Sequence, residues 1–289
     1  MRTLEYVIPE MYDGKKLLSF LKGHIHLSSK LIRRLKQQEK GLCLNSEHIR
    51  TVDIIRAGDV LTVNIPDDEA VATPCDLMPE VIYEDSDILV VNKPAMLPIH
   101  ESHNHQGDTL QNCVSGYFAK KGQSYTFRSV GRLDKGTSGL VLCALNSHIA
   151  SVLSGNVKKE YLAIATGVYE GSGTIDAPIY RPDPMKTYRV VDERGDRAVT
   201  HWNAVGTDGV NTLLRINLET GRTHQIRVHF ASLGTPLLSD SMYGTLAEEI
   251  GHQCLHCAKL SFVHPITKEE IVCEAPMPEE MQKAAVNFR

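Results

Sequence analysis

Apolar and polar positions follow two rhythms along this chain. Early on, Leu31, Ile32 and Leu35 fall on one face of the stretch SKLIRRLKQ while Lys30, Arg33 and Arg34 take the other, the spacing of an amphipathic helix. Ser28 stands where that helix needs an N-cap. Short strand-like runs come next: GLCLN, then VLTVNI after the turn RAGD. Residues Asp67 to Met78, DDEAVATPCDLM, are acidic, contain proline and have no period, which predicts a linker. From Pro79 onward strand character dominates, in ILVVNK (closed by Pro94), LVLCAL, KEYLAIATGV, TLLRINLE and CLHCAKLSFVHP, with Gly and Asp turns between. Helical spacing returns through Leu110, Val114 and Phe118 and again around HQIRVHFASLG. Many strands with few intervening helices predict an α+β fold with a largely antiparallel sheet, not a doubly wound βαβ fold. The predicted organisation is a small module over 1–68, a linker over 69–78 and a larger domain over 79–289.

Composition narrows the setting. A chain of 289 residues has room for two modest domains, and 42% hydrophobic with 23% charged residues is an ordinary globular mixture. No stretch approaches the roughly 18 to 20 apolar residues of a membrane helix. The opening MRTLEYVIPEMYDGKK carries acids where a signal peptide needs an apolar core, and seven scattered cysteines suit free thiols. Both features predict a cytoplasmic protein. The net charge of −4 speaks against a polyanionic partner, yet it conceals segregation, because eight Lys and Arg face one Glu between Gly14 and Gly41. A local patch sets the field felt by phosphates within a Debye length of about 8 to 10 Å.

The stretch VGRLDKGTSGL raises the question of chemistry. As a phosphate cradle it fails, since Thr137 stands where a P-loop needs lysine and Asp134 would repel the phosphates. Metal chemistry is a second reading, because HESHNH (His100, His103, His105) and HQCLHC (His252, Cys254, His256, Cys257) resemble ligand clusters. A site would form only if the two converged. The simpler expectation makes Cys254 and Cys257 strand residues, one buried and one less so, with the histidines in a loop. The third reading is a working carboxylate. Asp134 sits in a turn, where site residues are displayed. To stay ionised while partly desolvated it needs a guanidinium beside it, and Arg132, Arg222 and Arg227 are the candidates. Taken alone, RLD is better read as an Asp that caps its own turn and pairs with Arg132 or Lys135.

Two resemblances weigh on that choice. A helix pair, a strand, the AGD turn and a closing strand over Tyr12 to Pro66 resemble the αL RNA-binding module first known from a ribosomal protein. Farther on, GRLDKGTSGL, KEYLA, ETGRTHQIRVHFASLGTPLLSDSMYG and LHCAKLSFVHPIT occur in an order that closely resembles the RluA family of RNA pseudouridine synthases. With DILVVNKP they span Pro79 to Pro278. One departure is Gly131, where that family usually has His or Asn. The sister RsuA family uses Gly-Arg-Leu-Asp, whereas Ser138 and the stretch Arg222 to His229 follow RluA. The departure bears on the rim of the pocket and so on which RNA is taken.

The resemblance implies the pseudouridine synthase fold, α+β with a largely antiparallel mixed sheet and flanking helices and loops, behind a small N-terminal α+β RNA-binding module. It implies that Asp134 is the nucleophile or general base, that Tyr161 stacks with the target base and that Arg222 pairs with Asp134. Arg132, Lys93, Thr137, His224, Gln225 and Arg227 are then expected around the substrate, and Lys30, Arg33, Arg34 and Lys36 on RNA phosphates. Isomerising uridine oxidises nothing and adds no group, so neither cofactor nor metal is expected. The implied partner is RNA, ribosomal or transfer, acted on by a monomer with no membrane contact. The contrasting expectation is a catalytically silent RNA-binding protein or RNA chaperone on the same fold. The intact set Asp134, Tyr161 and Arg222 argues for the enzyme.

Overall fold

The computed structural model describes residues 2–66 and 72–289. Its first part comprises β1 (Arg2–Val7), α1 (Leu17–Gly23), α2 (Ser29–Lys36), β2 (Leu42–Leu44), β3 (Glu47–His48) and β4 (Val60–Ile65). The strands pair antiparallel in the order β1-β4-β2-β3. Ser28 caps α2 by accepting the Leu31 N–H at 3.2 Å. Leu31, Ile32 and Leu35 turn inward onto Phe20, Leu61 and Val63, making a core of this part's own. β1 is absent from the sequence expectation, because its alternating residues RTLEYV place only Leu4 in the core.

The larger part adds β5 (Glu80–Glu84), β6 (Ile88–Lys93), α3 (Leu110–Lys120), β7 (Ser129–Val130), β8 (Ser138–Ala144), α4 (Ser147–Leu153), β9 (Lys158–Thr166) and β10 (Ser172–Asp176). A small ladder, β11 (Ile179–Tyr180) with β12 (Val190–Val191), stands apart. Then come β13 (Val199–Thr207), β14 (Asn211–Leu218), α5 (Gln225–Ser232), β15 (Leu255–Val263), β16 (Glu270–Glu274) and α6 (Glu279–Ala284). The main sheet runs β10-β13-β14-β9-β15-β8-β6-β5, with β7 on β8 and β16 on β15. Every pairing is antiparallel except β8 with β15. This is the α+β sheet that the strand-rich pattern predicts. The runs Ile88–Val91 of β6 and Leu140–Ala144 of β8 are continuously apolar because these strands lie inside the sheet and are buried on both faces.

Part of the expected 69–78 linker, residues 69–71, lies outside the described residues. From Ala72 the chain is fastened to α3: Ala72 O accepts from Ser115 Oγ at 2.6 Å, Thr73 O from Asn112 Nδ2 at 2.8 Å, and Cys75 N donates to Asn112 O at 3.2 Å. The two parts also meet directly. Arg2 on β1 forks onto Asp87 next to β6, and Ile266 packs against both cores. Among the described residues no helix is long and apolar enough to cross a membrane.

Candidate active site

Asp134 stands in the loop between β7 and β8, over the one parallel seam of the sheet. The seam needs a glycine. Gly139 has φ +107°, and a Cβ there would come within 2.3 Å of Cys257 O on β15. At the loop's start Gly131 has φ +80°, and a Cβ would meet Lys159 Nζ at 3.0 Å. A side chain at 131 would therefore strain the backbone and displace that ammonium. Thr137 N donates to Asp134 O at 3.1 Å and closes the turn. From beneath, the buried ammonium of Lys93 bonds Lys135 O at 3.2 Å along with the carbonyls of Pro94 and Leu97. Burial pulls the pKa of Lys93 down to about 7, against the pull of Asp134. Lys93 thus shapes the loop from behind.

One carboxylate oxygen of Asp134 is engaged. Arg227 Nη1 donates to Oδ2 at 3.0 Å, while Oδ1 has no hydrogen-bond partner among the described residues. The Asp134 side chain keeps 25% of its exposure and that of Arg227 only 7%. Arg227 gives its other two nitrogens to Asp240, Nε at 2.7 Å and Nη2 at 2.8 Å. Burial opposes the guanidinium's charge, but the hydrogen bonds and charges of Asp240 and Asp134 outweigh it and its pKa rises. His224 Nε2 lies 3.9 Å from Asp134 Oδ2, and burial lowers this histidine's pKa against the pull of Asp134.

Here the structure corrects the sequence expectation: the guanidinium on Asp134 belongs to Arg227, not Arg222. Arg222 lies in the exposed turn before α5, where Nη1 is 3.3 Å from Asp196 and Nε donates to Arg197 O. Arg227 lies within α5, three residues after His224, so both occupy the helix face that overlooks the cleft. The spacing in HQIRVH carried that signal. Gln225, expected at the substrate, has both ends of its amide occupied. It accepts from Thr220 and Arg222 and donates to Val199 and Thr200, which pins the turn to β13.

Tyr161 on β9 forms the apolar wall with Leu133 and Leu218. Burial, then Cys257 and Asp134, push its hydroxyl pKa well above the ordinary value, so the ring is a neutral phenol. Arg132 and Arg222 are exposed at the mouth, while Thr137 lies at the base and accepts from Gln253 at 3.1 Å. The helix α2 carries Lys30, Arg33 and Lys36 outward. Arg34 is half-buried and turned toward Arg128 of the larger part, whose pKa is lowered by burial and then by Arg34.

The two His and Cys clusters do not converge among the described residues. His105 pairs with Asp108, His252 with Glu280, and His256 with Ser138. Cys254 and Cys257 are both fully buried, which corrects the expectation that one would be less so: Cys257 is on mid-sheet β15, and Cys254, just ahead of it, packs with Ile164 and Met281. All seven cysteines are free. Among the described residues Asp85, Asp87 and His264 could together offer three ligand atoms, and Arg2 already holds Asp87.

A reachable carboxylate on a buried arginine, beside a neutral aromatic wall, is a site for carboxylate chemistry on a flat ring, as enzymes acting on nucleobases require. The family model described as RNA pseudouridylate synthase matches residues 87–232. The chain belongs to the RNA pseudouridine synthases, isomerases of uridine in RNA. It is 36% identical to an uncharacterised RNA pseudouridine synthase, YjbO, of Bacillus subtilis (strain 168), over 90% of this chain and 95% of that one. It is 34% identical to ribosomal large subunit pseudouridine synthase D of Vibrio cholerae serotype O1 (strain ATCC 39315 / El Tor Inaba N16961), over 81% of this chain and 79% of that one. Among solved structures, human RNA pseudouridylate synthase domain containing 1 superposes with a TM-score of 0.58 at 25% identity, covering 73% of this chain and 87% of that one.

Proposed function

We propose that the protein converts uridine to pseudouridine in structured RNA, ribosomal RNA first and transfer RNA second, with Asp134 as the reacting carboxylate. The observation that carries this is the half-engaged state of Asp134, Oδ2 on Arg227 and Oδ1 unpartnered toward the cleft. The preference for ribosomal RNA rests on relatives named ribosomal large subunit pseudouridine synthase D.

In the reaction the N-glycosidic bond breaks, the uracil turns, a C–C bond to the sugar forms, and the proton on C5 is exchanged for one on N1. No electrons are gained or lost, so the protein's own side chains suffice. A carboxylate can begin by attacking the sugar or by taking a ribose proton. Both need an ionised oxygen without a bound proton, which Arg227 supports from the far side. The uridine leaves its stack at a cost of a few kcal/mol. Stacking on Tyr161 offsets part of that, about 1 to 3 kcal/mol. Arg132 and Arg222 at the mouth meet the flanking backbone, and Lys30, Arg33 and Lys36 add phosphate contacts from the N-terminal module. The monomer, in the cytoplasm where RNA is modified, requires no protein partner for these steps.

The test is tritium release from RNA whose uridines are labelled at C5. The wild type releases tritium and Asp134→Asn does not, while both bind the RNA. Turnover by that variant refutes the role of Asp134, and wild-type binding without release returns the silent-binder reading. Mapping pseudouridine in RNA from cells with and without the gene identifies the substrate.

A further inference from the structure

We infer that the turn Ser239–Gly244 is the positioning element of the site, with Asp240 aiming Arg227 and Tyr243 orienting His224. This rests on reading Asp134 as the reacting carboxylate. Neither side chain lines the cleft, so both act through their neighbours.

An arginine facing a carboxylate ordinarily binds fork to fork, two parallel hydrogen bonds engaging both oxygens. Asp134 would then have no free oxygen. Here the Nε–Nη2 fork is given to Asp240, and Asp134 receives a single bond from Nη1. Asp240 thus secures the arginine in the orientation that gives the reacting group one bond instead of two. It is itself immobilised, fully buried and accepting the N–H groups of Met242 at 3.0 Å and Tyr243 at 3.2 Å. Burial would raise its pKa, but the bonds and charge of Arg227 prevail and the pKa is lowered. Two carboxylates share one cation, so Asp134 receives only part of its counter-charge. An acid that must give up its partner to react is better served by that part.

The same turn supplies Tyr243. The Arg227 guanidinium carbon sits 5.1 Å from the centre of its ring. The phenol oxygen accepts the Arg189 N–H at 3.0 Å and lies 2.8 Å from His224 Nδ1. This contact fixes the imidazole with Nε2 facing Asp134, 3.9 Å from its carboxylate. Ser239 anchors the turn in the left-handed region, φ +63°, through mutual hydrogen bonds with Ala247.

The experiment compares kcat, KM and pH–rate profiles of wild type, Asp240→Asn, Asp240→Glu and Tyr243→Phe on one RNA substrate. Outer partners of a reacting group are worth about 10- to 100-fold in activity. Asp240→Asn should lower kcat within that range, leave KM for RNA unchanged, and move the acid limb of activity to lower pH, because Arg227 then answers to Asp134 alone. Asp240→Glu keeps the charge and displaces the fork, so kcat falls while the acid limb stays. Tyr243→Phe should lower kcat by less, with KM and the unfolding midpoint unchanged, and it decides the matter if Asp240→Asn does not fold. An active wild type whose Asp240→Asn and Tyr243→Phe variants keep its kcat and pH profile overturns the positioning role alone. So does a fall in kcat with the profile unmoved in Asp240→Asn, the mark of lost structure. A wild type that releases no tritium from any RNA removes the reading of Asp134 on which the inference stands.

Discussion

Two of this protein's aspartate–arginine clusters are built on a buried aspartate, Asp240 and Asp87, and their difference separates the proposed site from a strut. In one, Arg227 bridges Asp134 and Asp240 beneath the cleft. In the other, Arg2 of β1 forks onto Asp87, Nε to Oδ1 at 2.9 Å and Nη2 to Oδ2 at 2.7 Å, and Asn146 adds a bond to Oδ1 at 2.9 Å. Asp87 is 2% exposed with both oxygens engaged. Beside it, Asp85 accepts from Tyr83 and the N–H groups of Asp87 and Ile88, and lies 3.0 Å from His264. An arginine next to an aspartate is therefore no mark of catalysis. What counts is whether an oxygen is left over and whether a substrate can reach it. Asp134 meets both conditions and Asp87 neither.

The substitutions that test this contrast differ in what they change. The largest effect is expected at Asp134→Asn, a loss of turnover of about 10²- to 10⁴-fold with little change in the unfolding midpoint, since the residue is partly exposed and makes one hydrogen bond. Next comes Asp87→Ala, which strips a half-exposed arginine and a buried asparagine of their acceptor. Breaking a fully buried pair costs about 3 to 5 kcal/mol. Because Arg2 keeps 36% of its side-chain exposure, solvent reduces the cost, and denaturant unfolding should read about 2 kcal/mol or more. The activity of each folded molecule should hold. A variant of Asp87 that folds normally yet loses turnover would erase the distinction between the clusters.

The strut region also carries a pH signature. His148 is buried with Nδ1 unpartnered, and burial lowers its pKa to about 4, against the pull of Asp87. Below its ordinary value of 6.5 the unfolded chain takes up a proton that the folded protein refuses. Stability is therefore full above that pH and lost progressively as pH falls toward about 4. Urea denaturation at pH 7.5 and 4.5 should show a smaller drop in His148→Leu than in the wild type. An equal drop in both would assign the acid sensitivity to the other histidines whose pKa desolvation lowers, His224, His229 and His256. The smallest effect concerns α2. Removing Lys30 and Arg33 should weaken RNA binding uniformly across sequences and flatten its salt dependence by about 0.7 to 0.9 for each phosphate no longer neutralised. An unchanged slope would show that the exposed face of α2 meets no RNA phosphates.

How far the chain could be read in advance rests on the same physics. The apolar runs of β6 and β8 declare themselves because both faces of the sheet are covered there. So do α2, with its serine cap and one-sided leucines, and α3. By contrast, β10, β13 and β16 stand toward the margins, where the alternating burial of VTHWNAVGT is diluted by His, Asn and Gly, and they left no clear run to read. Asp240 and Tyr243 went unnoticed because SDSMYG has no period and its importance lies wholly in the groups it touches. Arg222 and Arg227 look alike in GRTHQIR. Only the start of α5 at Gln225 leaves the first in an exposed turn and brings the second over Asp134.

Short-range order in the chain sufficed for the turn that carries Asp134, the cap of α2 and most central strands, since turns, caps and apolar spacing are settled among neighbours. Which cation serves Asp134, and which oxygen stays free, depends on a contact spanning 93 residues between a helix and a sheet loop, held by a third element at Asp240. Such contacts are set when separate elements bury their faces against one another, and local pattern carries no record of the result.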